Sequence, residues 1–316
     1  MVVNSNSPLP VVRIAEIPRE SRAQPWLVEQ LWGASSVGVI GGAPKCSKTW
    51  LGLDLAFSVA TGTACLGRYA VPQPGPVLVY LAEDALPIVR QRVEGMARHR
   101  SLALERVEMY VITAPTLRLD RDPHRRQLQE TARRLQPRLL LLDPLVRLHG
   151  IDENSAGEVA GLLAYIRQLQ RQLDLSVILV HHTRKNAAGV AAGQSLRGSG
   201  DLHAFGDSNL YLRRLKDRLL LVSEHRAAPA SPPVYLDLVA TDADTTHLEV
   251  VSPVHDPPPP SLPEQVLALL AGGAVLTRAK LRDTLAVKNE RLGEALESLE
   301  RAGRLRRTQG GWQRLD

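Results

Sequence analysis

The run Gly42-Ala43-Pro44-Lys45-Cys46-Ser47-Lys48-Thr49 reads G-x-x-x-x-S-K-T, one residue away from the phosphate-binding pattern G-x-x-x-x-G-K-[ST]. The apolar run Val37-Gly38-Val39-Ile40 precedes it, and an apolar helical pattern from Trp50 to Ala60 follows. A strand, a tight glycine-rich turn and a helix make an anion nest. Successive backbone N–H groups turn inward, and the helix N-terminus adds partial positive charge. Gly42, Ala43, Pro44, Lys45, Cys46, Ser47, Lys48, Thr49 and Trp50 are therefore the candidate nucleotide contacts. Lys48 is expected to reach the β- and γ-phosphates of ATP as a solvated charge serving the ligand. Thr49 is expected to give its hydroxyl to Mg²⁺. Ser47 stands where glycine is usual, and a Cβ fits there if the backbone is already near helical. A structural turn is the plain alternative, and the motifs downstream argue against it.

Leu139-Leu140-Leu141-Leu142-Asp143 is an apolar strand ending in a carboxylate, the pattern that holds Mg²⁺ beside such a loop. Val77–Leu81 leads into Glu83-Asp84. A carboxylate on the strand beside the loop can polarise the water that attacks the γ-phosphate, so Glu83 is the candidate base. Asp84 is expected to cap the helix that follows. Ser176–Val180 runs into His181-His182 at the same sheet edge. No further ligands stand at a zinc-like spacing, so the pair reads as a γ-phosphate sensor. Side chains alternate along a strand, so only one of the two faces the site.

The elements that must position these residues alternate. Strands are expected at Val37–Ile40, Val77–Leu81, Val107–Ile112, Leu139–Leu142 and Ser176–Val180. Helices are expected at Lys48–Ala60, Leu86–Arg98, His124–Leu135 and Ser155–Leu173. Short apolar strands between helices predict an α/β fold with a mostly parallel sheet covered on both faces. The stretch Gly189–Gly206, rich in Gly, Ala and Ser, reads as a mobile loop. Segments Asn209–Arg214, Leu219–Glu224, Val234–Ala240 and His247–Val251 read as antiparallel strands extending the sheet edge. Trp26 and Trp32 suggest that the second half of the lead-in packs on the body.

Asp256-Pro257-Pro258-Pro259-Pro260-Ser261 is a stiff linker. Four parts follow: residues 1–25 as a lead-in, 26–256 as the α/β domain, 257–262 as linker and 263–316 as a small domain. The last has the rhythm of a winged helix-turn-helix, with helices at Pro263–Ala271, from Thr277 to Thr284 and at Lys288–Ala302. A hairpin from Leu305 to Leu315 would form the wing. Lys288 and Arg291 fall at the start of the third helix, where base edges are contacted. Arg306 and Arg307 fall on the wing, suited to phosphates. Docking to a protein is the other use of such a domain.

With 316 residues, 44% hydrophobic and 23% charged, the chain fits one large soluble domain and a small one. No apolar run is long enough to span a membrane, and the first ten residues show no secretory pattern. Two cysteines, one of them inside the phosphate loop, point to a reducing cytoplasm rather than a disulfide framework. The net charge of +6 leans toward polyanionic partners.

The set GGAPKCSKT, YLAED, LLLLDPLVRLH, VILVHHTRK and RGSGDLHAFGDSN, in that order, resembles the RecA-like ATPases of the RepA plasmid-helicase group, relatives of the DnaB and KaiC families. The resemblance runs from about Trp26 to Val254. It implies a ring-forming ATPase, expected as a hexamer, with nucleotide sites between subunits. It maps Lys48 and Thr49 to phosphate and Mg²⁺, Glu83 to the base, Asp143 to the second Mg²⁺ position and His182 or His181 to the sensor. The Gly189–Gly206 loop with Arg197 corresponds to the part that faces single-stranded DNA. An inter-subunit site also needs an arginine from the neighbour. Arg197, Arg213, Arg214 and Arg226 are candidates, and the DnaB-like pattern favours Arg226. These readings add up to an ATP-hydrolysing motor acting on DNA, helicase-like, in replication or mobile elements. A DNA-bound regulatory or repair switch without unwinding is the alternative. A small-molecule kinase on the same fold is a third.

Overall fold

The computed structural model describes residues 11–17, 26–153, 155–182, 201–215, 217–252, 261–285 and 287–315. The chain divides into two compact units, Met1–Ser252 and Pro253–Asp316.

The first unit opens on a small antiparallel pair, β1 (Trp26–Val28) and β2 (Trp32–Gly33). Trp32 is fully buried there among Val28, Leu31 and residues of the next helix. The chain then alternates: β3 (Val37–Gly42), α1 (Lys48–Thr61), β4 (Val77–Leu81), α2 (Leu86–His99), β5 (Met109–Val111), α3 (Asp122–Leu135), β6 (Leu139–Asp143), α4 (Ala156–Leu173) and β7 (Ser176–His182). A short helix α5 (Asp201–Phe205) precedes β8 (Ser208–Leu215), β9 (Arg218–His225), β10 (Val234–Ala240) and β11 (Thr246–Val251). Nine strands form one sheet in the order β11-β10-β9-β8-β3-β7-β6-β4-β5. From β8 to β5 every pairing is parallel.

Both faces of this sheet are covered, which explains the unbroken apolar runs of its strands. Alternate residues feed two cores. Ile40, Val79, Leu141 and Ile178 pack with Leu51, Leu55, Val89 and Met96 of α1 and α2. Val39, Leu78, Leu140 and Leu179 pack with Leu128, Ala132, Leu162 and Ile166 of α3 and α4.

Three expectations change. β8 is not antiparallel to the sheet it joins: it runs parallel to β3, with Ile40, Gly41 and Gly42 opposite Leu210, Tyr211 and Leu212, and antiparallel pairing begins only at β9. The stretch expected as a loop to Gly206 ends in a helix, and the rest of it, 189–200 with Arg197, lies outside the described residues. Glu83's strand is not beside the phosphate loop, because β6 and β7 stand between β4 and β3.

The second unit contains α6 (Leu262–Leu269), β12 (Val275–Leu276), α7 (Arg278–Leu285), α8 (Asn289–Arg301), β13 (Leu305–Thr308) and β14 (Gly311–Arg314). Ser261 and Glu264 form a reciprocal capping box that starts α6. Val266, Leu270, Leu281, Leu292, Leu296 and Leu305 make a separate core. The three strands pair antiparallel in the order β12-β14-β13. Lys288, expected inside the third helix, is its N-cap residue.

Candidate nucleotide site

Between β3 and α1 the chain makes a tight loop that depends on two unusual backbone positions. Lys45 (φ 61°) and Ser47 (φ 63°) are both left-handed. Ser47 is therefore not near helical as expected; it takes the conformation that favours glycine. Gly42 is required for a different reason: a Cβ there would lie 2.6 Å from the Leu212 carbonyl oxygen and 2.6 Å from Cys46 Sγ. The parallel contact with β8 leaves that backbone no room to give.

Lys48 differs from the solvated charge expected of it. Its side chain is buried, and Nζ donates to the carbonyls of Gly42 (3.0 Å) and Ala43 (2.8 Å). Burial lowers its pKa, opposed by the charges of Cys46, Asp143 and Glu83. The ammonium spans the mouth of the loop and holds it closed.

Asp143, at the end of β6, is buried and hydrogen-bonds Thr49. Its Oδ2 has no hydrogen-bond partner. Burial, with Asp84 and Glu83 nearby, pushes its pKa up to about 6, against the favourable Thr49 bond and the Lys48 charge. An orphaned carboxylate oxygen beside a threonine hydroxyl suits a hard divalent cation with oxygen ligands, so Thr49 and Asp143 fit Mg²⁺.

A cavity of about 340 Å³ collects these groups. Lys45, Cys46, Ser47, Lys48, Thr49 and Trp50 line it from the loop, and Glu83, Asp84, Asp143 and His182 from the ends of β4, β6 and β7. Although β4 is two strands further from the loop than expected, the twist of the sheet edge still brings Glu83 to the cavity. Asp84 does not cap α2. Ala85 holds that position without a side-chain cap, and Asp84 pairs with Arg92 Nη1 at 2.7 Å. The Arg92 guanidinium in turn lies 5.2 Å from the centre of the Trp50 ring. Arg92 and Leu238 complete the lining, and neither was expected. An Arg eight residues beyond an Asp, across a helix start, leaves no motif, though Trp50 and Asp84 together marked the place.

Of the histidine pair, His182 lines the cavity, while His181 is buried with its Nδ1 4.0 Å from Glu153. Glu153 also stands 3.7 Å from His149 Nε2. Among the described residues no group of three or more His, Cys, Asp or Glu side chains is arranged to hold a metal ion.

A family model described as an AAA domain matches residues 4–188. The chain belongs to this AAA-domain family. The match contains the loop, Glu83, Asp143 and both histidines, and it ends before β8 and the second unit. Among solved structures, that of the RadB recombinase is 17% identical with a TM-score of 0.50, over 69% of this chain and 92% of that one. The likeness is one of fold, the RecA-like P-loop fold. A solved ATPase domain of a DnaB-like protein is 15% identical with a TM-score of 0.49, over 65% of this chain and 82% of that one.

The remaining candidates of this AAA-domain protein lie away from the cavity. Arg226 donates from Nη2 to the Ala204 carbonyl at 2.5 Å and stands 3.7 Å from Asp207. Asp207 also accepts from Arg167 and from the Val37 backbone, so the GDSN run is a structural hub. Arg214 donates to the Lys45 carbonyl at 3.3 Å, against its own phosphate loop. In the second unit Lys288, Arg291, Arg306 and Arg307 are all exposed or half-exposed, and Arg306 is steadied across the hairpin by Gln313 Oε1 (2.8 and 3.1 Å). No helix among the described residues is long and apolar enough to cross a membrane.

Proposed function

We propose that this AAA-domain protein is an ATP-hydrolysing motor acting on DNA. In this reading it is a ring-forming, helicase-like ATPase of replication or mobile elements, assembled as a hexamer in the cytoplasm. The observation that carries the reading is the convergence of Lys48, Thr49, Glu83, Asp143 and His182 on one cavity. Lys48 and the loop N–H groups bind the phosphates of ATP. Thr49 and Asp143 hold Mg²⁺, which when bound neutralises charge on the phosphates. Glu83 takes up the proton of the attacking water, and His182 contacts the γ-phosphate. Arg226, 57% exposed, is available to a neighbouring subunit's site.

DNA is assigned to two places. Arg197 and its loop would meet single strands, and the second unit would bind duplex. The helix–strand–helix–helix–strand–strand order of that unit suits a winged helix. Its positive charge concentrates at Lys288 and Arg291 and on the β13 strand, because α8 continues with Glu294, Glu297 and Glu300. Strand displacement on forked DNA, measured with ATP, tests the motor. Hydrolysis stimulated by DNA with no displaced strand would favour the DNA-bound switch, which the separate basic second unit also suits.

A further inference from the structure

Glu83 borders two cavities. One is the nucleotide cavity; the other, about 530 Å³, is lined by Tyr80, Ala82, Pro115, Thr116, Arg118 and Arg147 as well as Glu83. On that second side Glu83 Oε1 accepts from Arg147 Nε at 2.8 Å. Arg147 ends the 3-10 turn Leu145–Arg147 that follows β6, four positions beyond Asp143. Arg118 reaches the same turn from the other wall, donating from Nη1 to the His149 carbonyl at 2.5 Å. The cleft therefore offers two guanidiniums and the Thr116 hydroxyl against one carboxylate, and that carboxylate is the candidate base.

We propose that Arg147 restrains Glu83, and that a phosphodiester of single-stranded nucleic acid entering this cleft takes Arg147 away and frees Glu83 to act on water. The inference rests on the reading of Glu83 as the base. Three features support it. The Arg147 and Glu83 side chains are 62% and 48% exposed, so the pair is open to competition by a polyanion. A guanidinium binds phosphate through the same planar fork that it offers a carboxylate. An exposed ion pair is also a weak restraint, which a ligand with a few phosphate contacts can outbid. Arg147 acts here as a positioning residue, through Glu83.

The test is steady-state ATP hydrolysis by the full chain, with and without an oligo(dT) strand, for wild type, Arg147→Ala, Arg147→Lys and Glu83→Gln. Arg147→Ala should raise the strand-free kcat about two- to fivefold, the worth of an exposed ion pair, with KM for ATP unchanged. Oligo(dT) should then add little. Arg147→Lys should restore part of the restraint and part of the stimulation. A strand-free kcat in Arg147→Ala that is unchanged or lowered, with Glu83→Gln inactive, overturns the restraint and leaves the base assignment standing. Wild-type hydrolysis by Glu83→Gln removes the base, and the restraint with it. Inorganic phosphate at matched phosphate concentration should not stimulate; equal stimulation would make the ligand a free anion and overturn the nucleic-acid assignment.

Discussion

Gly42 on β3 and His182 on β7 are register partners in adjacent parallel strands. The phosphate loop thus begins directly opposite the histidine that lines the nucleotide cavity, and Gly41 stands opposite the buried His181. A slip of one residue would exchange the two imidazoles, and the alternate packing of Val180 and Leu179 into opposite cores prevents it. His182→Ala should therefore lower turnover by about 10²-fold, as loss of one transition-state hydrogen-bond donor does, with the melting temperature unchanged. His181→Ala should instead cost about 1–3 kcal/mol of stability by disturbing a buried polar cluster. Equal effects of both changes on turnover and melting would refute the division.

Ser47→Gly should stabilise. A left-handed residue with a Cβ carries a strain of about 1–2 kcal/mol, part of which glycine returns as unfolded-state entropy. A net gain of about 0.5–1 kcal/mol is expected in chemical denaturation. A loss of stability would mean that the serine hydroxyl makes a compensating contact.

How much of this could be read beforehand depends on the range of the contact. The buried parallel strands announce themselves as unbroken apolar runs, and Asp143 and His182 follow because they end such runs. Glu83's distance from the loop was not legible, because strand order is set by crossovers that no local pattern encodes. The same holds for β8, whose alternation suits either pairing direction. The left-handed Ser47 arises from closing a loop between β3 and α1, and the Arg92–Asp84–Trp50 contact joins three segments that meet only after folding. Arg147 reads in the chain as one more surface arginine.

Lys48→Ala should act on both ligand and loop. Loss of the phosphate contact should abolish ATP binding in a calorimetric titration. Loss of the bonds to Gly42 and Ala43 should cost about 1 kcal/mol in the absence of nucleotide. Wild-type affinity for ATP would remove the phosphate-loop assignment altogether.

Asp143 gives a pH signature. Its pKa is raised to about 6 chiefly by burial, so the folded state holds this proton more tightly than the unfolded one. The resulting stabilisation is complete below the ordinary carboxylate pKa and is lost as pH rises through about 6. At neutral pH without metal the ionised group then costs about 2–3 kcal/mol, at 1.36 per pKa unit. Asp143→Asn should raise the melting temperature at neutral pH in chelator and have little effect near pH 4. Added Mg²⁺ should stabilise wild type and not the variant. A pH-independent difference between the two proteins would show that burial of this carboxylate is not what raises its pKa.

The second unit has its own core and its own sheet, so removing residues 261–316 should leave the nucleotide site folded. For a motor that grips single strands through the first unit, this truncation should preserve strand-stimulated hydrolysis and reduce duplex binding. For a DNA-anchored switch, nearly all DNA binding should disappear with it. Salt separates the phosphate contacts from the rest. Arg306 is held by Gln313 and Arg307 is exposed beside it on β13, so each can neutralise one phosphate. Replacing both with alanine in the full chain should shallow the slope of log affinity against log salt by about 2, at roughly 0.9 per phosphate. Duplex affinity and slope that survive both the truncation and the double substitution would place DNA binding wholly in the first unit. The second unit would then be a surface for docking protein.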